Sequence, residues 1–242
     1  MSQPYGLAAV LRDASQLAPA SPASPVAVPL EDLVALFPTT ALIQAVKSFV
    51  KPQLGEQIWA HSHRAFLFAA AIQQVQFPSW EWHPEALYLA CLFHDLGAVE
   101  ANLHKTKVSF EFYSAVLARD FLQAHPEGQQ QPDLVDSVCE AIWRHTDFVA
   151  SRISVTGQLL QLGTLYDNIA ANRYWIHAKT AAGIVERFPR EGWCECFHHW
   201  MKREVELKPW SHTTIFDFSG TKGQQVWDKV LDDELGSALR QA

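Results

Sequence analysis

The chain has 242 residues, 48% of them hydrophobic, and carries 26 acidic against 19 basic side chains for a formal charge of -7. That is enough apolar material for one sizeable core within the length of a single domain. An acidic balance without a basic run argues against a general phosphate-backbone binder, and so against a nucleic-acid partner.

The first thirty residues carry Leu17-Ala18-Pro19-Ala20 and then Ser21-Pro22-Ala23-Ser24-Pro25-Val26-Ala27-Val28-Pro29. Proline at this density blocks helix and central strand alike, so residues 1–30 read as an extended arm draped over the body or over a second subunit. They lack the basic start and continuous apolar stretch of a signal peptide. No later segment approaches the roughly 20 apolar residues of a membrane span. The expectation is a soluble, reduced, cytoplasmic protein with no membrane partner.

From Glu31 the pattern turns helical. Apolar residues recur at three- and four-residue spacing through Leu33–Phe37 and through Leu42, Ile43, Val46, Phe49 and Val50. The same spacing predicts helices over 56–75, 84–97, 109–124, 133–146, 155–172, 178–187 and 193–205. Pro52 and Gly55, Phe77-Pro78, Pro126-Glu127-Gly128 and Phe188-Pro189-Arg190 punctuate them. Strand-like alternation is scarce. The expected architecture is all-α: a Pro-rich arm over 1–30, a helical domain over 31–205, and a C-terminal extension over 206–242 ending in an amphipathic helix near 224–239.

Among the four cysteines, Cys91 and Cys139 sit in apolar surroundings and read as small buried hydrophobes. Cys194-Glu195-Cys196 lacks the two-residue gap of a zinc knuckle, so His198 and His199 add little to it. A helix face carrying Trp193, Phe197 and Trp200 explains that stretch as well.

The chemistry concentrates elsewhere. Three helical segments each place polar candidates in an apolar face: His61 within Trp59-Ala60-His61-Ser62-His63-Arg64, the pair His94-Asp95 after Leu87–Phe93, and Asp167 within Thr164–Asn168. Buried charges require an opposite charge or a metal. His61, His94, Asp95 and Asp167 offer two imidazoles and two carboxylates, a set that suits Zn, Fe or Mn. Helix bundles build metal sites this way, from facing helices. Four protein ligands leave room for water only if the metal exceeds four-coordination or one ligand binds loosely. His63, two residues beyond His61, faces away and reads as an ordinary core or surface histidine.

The order His61, His94-Asp95, Asp167 resembles the HD-domain superfamily, a helical fold of metal-dependent hydrolases. The surrounding text is narrower. His61-Ser62-His63-Arg64, Cys91-Leu92-Phe93-His94-Asp95-Leu96, Thr106–Tyr113, Ile142-Trp143-Arg144-His145, Asp167-Asn168 and Lys208–Thr214 resemble the fungal cyanamide hydratases. The resemblance implies an HD-domain helical bundle and a zinc-dependent hydro-lyase that adds water to the nitrile of cyanamide, giving urea. Ala98 stands three residues after Asp95, where several HD-domain nucleotidases carry a glutamate, which favours the narrower match.

Under that reading a metal on His61, His94, Asp95 and Asp167 would lower the pKa of a bound water and present hydroxide to the nitrile carbon. Lys107 and His145 are the proton-transfer candidates, and Asn168 would orient substrate or water. Thr106, Ser109 and Glu111 would complete the pocket, with Glu111 holding Lys107. Phe110, Phe112, Tyr113 and Trp210 are candidates for an aromatic lining. Two rivals remain. One is an HD-type phosphohydrolase using Arg64, Lys105 and Lys107 on a nucleotide or other small phosphate ester. The other is a scaffold whose metal only holds the helices together. The arm and the aromatic content are compatible with a homo-oligomer.

Overall fold

Helix α3 (Glu56–Gln76) is the axis of the structure, a computed structural model that describes residues 4–21 and 25–216. Its first turn carries Glu56, favoured at the positive end of the helix dipole, and no glycine or proline interrupts its 21 residues. Residues on every side of it are buried, from Ile58 through Phe66, Leu67 and Phe68 to Ile72. A helix buried all round is surrounded by other elements. Its neighbours are α1 (Leu30–Val34), α4 (Pro84–Phe93), α9 (Val155–Ile169), α10 (Ala178–Arg187) and α11 (Trp193–Leu207). The remaining helices are α2 (Ala41–Val50), α5 (Glu100–Leu103), α6 (Phe110–Ala124), α7 (Pro126–Gln130) and α8 (Pro132–Arg144).

Two glycines set distances that matter for the site. A Cβ on Gly163 would lie 2.2 Å from the Ala65 carbonyl oxygen, so only glycine lets α9 lie this close to α3. A Cβ on Gly97 would lie 2.2 Å from the Phe110 carbonyl oxygen, which fixes the turn after Asp95 against the start of α6.

The boundaries depart from the periodicity in instructive places. The apolar run of α4 stops at Phe93 rather than 97. His94 is its C-cap, Asp95 leaves the helical region (φ -103, ψ 3), and Leu96–Ala98 tighten into a 3-10 turn. Helix α9 ends at Ile169, not 172, because Ala170 turns left-handed (φ 51) and donates its backbone N–H to Leu165 and Tyr166. Pro126 and Pro132 both occupy first-turn positions, which makes α7 a separate helix where a loop was expected.

Described residues of the N-terminal segment contact the helical body. Ahead of the proline cluster, Ala9–Leu11 form a strand (β1) antiparallel to Arg152–Ser154 (β2), pairing Val10 with Ile153. Further along, Ser21 and the buried amide of Gln76 exchange two hydrogen bonds of 2.9 Å. After α11, residues 208–216 return across the entrance to α6. The Lys208 ammonium donates to the Val108 carbonyl, and the Phe110 N–H donates to Glu204 at 2.7 Å. The amphipathic helix expected near 224–239 lies outside the described residues, as do residues 1–3 and 22–24 of the arm.

Candidate metal centre

The C-terminal end of α4 and the second turn of α3 bring three donor atoms together. His61 Nε2 lies 3.1 Å from His94 Nε2 and 3.7 Å from Asp95 Oδ2, and His94 Nε2 lies 3.2 Å from Asp95 Oδ2. All three side chains are buried. Bonds of about 2.0–2.1 Å in a tetrahedral arrangement separate ligand atoms by about 3.3 Å, so the triangle has the dimensions of a metal face. The tautomers agree. His94 Nδ1–H donates to the Cys91 carbonyl at 2.8 Å, and His61 Nδ1–H donates to Asp167 Oδ2 at 2.6 Å. Both Nε2 atoms therefore present lone pairs to each other, an arrangement that requires a proton or a cation between them. The residues fit a divalent metal. Among the described residues, these three form the His/Cys/Asp/Glu grouping with ligand spacing; Cys194 and Cys196, both free thiols on α11, do not join one.

Asp167 approaches the other edge of the His61 ring. Its carboxylate accepts from Arg64 Nε (2.8 Å) and Nη2 (2.9 Å), from Arg190 Nε (3.1 Å) and from His61. Burial alone would push this carboxyl up, but the two guanidinium groups and His61 hold it far below the usual carboxylate range. Arg64 is fully buried, and its Nη1 donates to the Phe188 and Pro189 carbonyls. It is committed to structure rather than turned toward an incoming phosphate. Trp193 stacks on His61 with ring centroids 4.0 Å apart and planes 11° off parallel. Arg190 and Trp193 come from the turn and helix after Pro189.

Burial pushes Asp95 up as well, and the surrounding His94, His61 and His145 reverse it, leaving the group ionised. His145 is buried edge-on to His94, with centroids 5.2 Å apart. Its Nδ1–H donates to the Ile142 carbonyl at 2.7 Å, leaving Nε2 as a free acceptor. Burial, aided by His94, lowers its pKa to about 4, so it is neutral at physiological pH. Gln161 holds its carbonyl at 3.2 Å.

The remaining expected residues have specific partners. Asn168 accepts from Trp193 Nε1 at 3.0 Å and so anchors the ring that covers His61. Thr106 Oγ1 accepts from the Val108 N–H, and Ser109 Oγ accepts from the His212 N–H. Lys107 is exposed, and its carbonyl accepts from Trp210 Nε1. Glu111 does not hold Lys107. Its buried carboxylate accepts from Thr146 Oγ1 at 3.2 Å and lies 2.7 Å from His212 Nδ1. Of the expected aromatic lining, Phe110 is buried with its ring 5.9 Å from His145, while Phe112 and Trp210 are exposed. His63 is a core residue, donating to the Trp59 carbonyl and accepting from the Tyr88 hydroxyl.

Residues 58–172, which contain His61, His94, Asp95, His145 and Asp167, match the HD domain family. Two curated relatives from Saccharomyces cerevisiae, cyanamide hydratase DDI2 and cyanamide hydratase DDI3, are each 36% identical over 222 residues. Each alignment covers 90% of this chain and 95% of the relative. The chain belongs to the cyanamide hydratase family of HD-domain proteins.

Proposed function

We propose that this protein hydrates cyanamide to urea at a divalent metal held by His61, His94 and Asp95. The observation that carries the reading is the convergence of three buried donors with lone pairs turned inward, in a chain aligned along nearly its whole length with two cyanamide hydratases. A metal in that position supplies Lewis acidity and lowers the pKa of water.

The protein's own groups do the rest. Hydration forms a C–O bond at the nitrile carbon and moves both water protons to the nitrile nitrogen, the first giving isourea and the second, passed from oxygen to nitrogen, giving urea. His145 Nε2 is the carrier: neutral because it is buried, fixed in one tautomer by Ile142, and beside His94. Lys107 is the weaker candidate, since its side chain faces solvent. Asp95 and the imidazoles are buried, and preorganised charges and dipoles act most strongly on a small substrate in such surroundings.

Zinc is the metal in this reading, because two imidazoles and one carboxylate would hold it; iron and manganese use the same donors. Four unpaired cysteines support a reducing compartment such as the cytoplasm. Against phosphate-ester hydrolysis stand Ala98 and the commitment of Arg64 to Asp167. The test is urea release from cyanamide alongside phosphate release from a nucleotide panel. Urea without phosphate supports the proposal; phosphate without urea overturns it.

A further inference from the structure

Asp167 has the sequence position of a fourth metal ligand and the surroundings of something else. A carboxylate offers about four lone-pair sites. At least four donors already occupy them: Arg64 Nε and Arg190 Nε on Oδ1, Arg64 Nη2 and His61 Nδ1–H on Oδ2. The Arg190 guanidinium also donates to the Asp167 backbone carbonyl. Two guanidinium groups against one carboxylate leave the neighbourhood cationic, which repels a further cation. The triangle of donors is closed by His61 Nε2, whereas Asp167 sits on the Nδ1 edge of that ring.

We infer that Asp167 is a positioning residue and not a metal ligand: it fixes the tautomer and plane of His61 from behind. Trp193, stacked on the ring face and anchored by Asn168, limits rotation about the remaining axis. Arg64 and Arg190 hold Asp167 in turn, so the chain from Arg190 to His61 is one continuous support. The protein ligand set is then three. A four-coordinate metal retains one position for water or substrate, which four protein ligands would have filled. Outer partners of this kind typically tune metal affinity about 10–100-fold without supplying it. The inference rests on the metal reading above.

The experiment compares zinc binding by the full-length wild type, Asp167→Asn, Asp95→Ala and His94→Ala, using chelator competition and metal analysis after desalting. Far-UV circular dichroism verifies folding. Asp167→Asn is expected to retain one zinc per chain at saturation with affinity weakened about 10–100-fold, while Asp95→Ala and His94→Ala retain none. Because removing Asp167 strands Arg64 in the core, an independent measurement is made on wild type. Histidine-selective nitrogen NMR, before and after zinc loading, should show the same downfield Nδ1–H resonance of His61. Loss of zinc from folded Asp167→Asn to the extent seen in Asp95→Ala overturns the inference, as does disappearance of that resonance on loading. A wild type that binds no zinc, iron or manganese overturns the metal reading itself, a separate result.

Discussion

Replacing Gly163 by alanine tests whether the close approach of α9 to α3 holds the site together. In an exposed helix interior the change stabilises, because alanine exceeds glycine in helix propensity by about 1 kcal/mol. Here the new Cβ would lie 2.2 Å from the Ala65 carbonyl oxygen and 3.0 Å from the Ala69 Cβ. Ordinary contact requires about 1 Å of separation between two helices that are otherwise close-packed, and overpacking of this kind costs about 1–3 kcal/mol. The clash outweighs the propensity gain. For a chain of this size about 2–4 °C of melting temperature is lost per kcal/mol. Gly183→Ala supplies the internal control: it is also helical, in α10, but its Cβ would meet only Leu30 carbons at 3.7 and 3.8 Å. Thermal denaturation should therefore move in opposite directions, down for Gly163→Ala and up by a few degrees or less for Gly183→Ala. Since α9 also carries Asp167, zinc affinity should fall in the first variant and not in the second. A Gly163→Ala protein as stable as wild type with unchanged zinc affinity would refute the reasoning.

Three further outcomes follow from named groups. His145→Gln should lower kcat for cyanamide about 10²–10⁴-fold while leaving zinc stoichiometry at one per chain; a kcat within a factor of three of wild type would remove His145 from the proton path. Burial raises the Cys139 thiol to about 12, so above pH 9 the unfolded chain loses a proton that the native chain keeps. Stability contributed by that thiol is complete below pH 9 and falls by about 1.4 kcal/mol per pH unit toward pH 12; urea denaturation of Cys139→Ala should show a correspondingly flatter alkaline decline. His212→Ala leaves the buried Glu111 carboxylate with one partner fewer and should destabilise the protein by about 1–3 kcal/mol, measured by chemical denaturation, with zinc affinity unaltered.

The parts of this structure that the sequence discloses are those governed by local rules. Apolar spacing marks the long helices, and polar residues embedded in apolar faces mark His61, His94 and Asp95 as a group. The parts it conceals depend on distant contacts. Strand β1 is three residues long and exists because β2 lies opposite it. Glu111 and Lys107 have the spacing of a helix pair, yet Glu111 bonds His212, a hundred residues on, because the segment after α11 returns over the start of α6. Arg190 and Trp193 follow a helix-breaking Pro189, where nothing in the local text connects them to Asp167 and His61. Asp167 itself illustrates the limit most clearly: its place in the order of motif residues says that it belongs to the site, but only its surroundings distinguish the metal side of His61 from the far side.

Urea formation should depend on a metal at His61, His94 and Asp95. Protein stripped with chelator, dialysed free of it and assayed with cyanamide should make no urea above background. Activity should return in proportion to zinc added, reaching a plateau at one ion per chain, and Asp95→Ala should stay inactive throughout. Full urea production by metal-free protein, or by folded Asp95→Ala, would contradict that dependence.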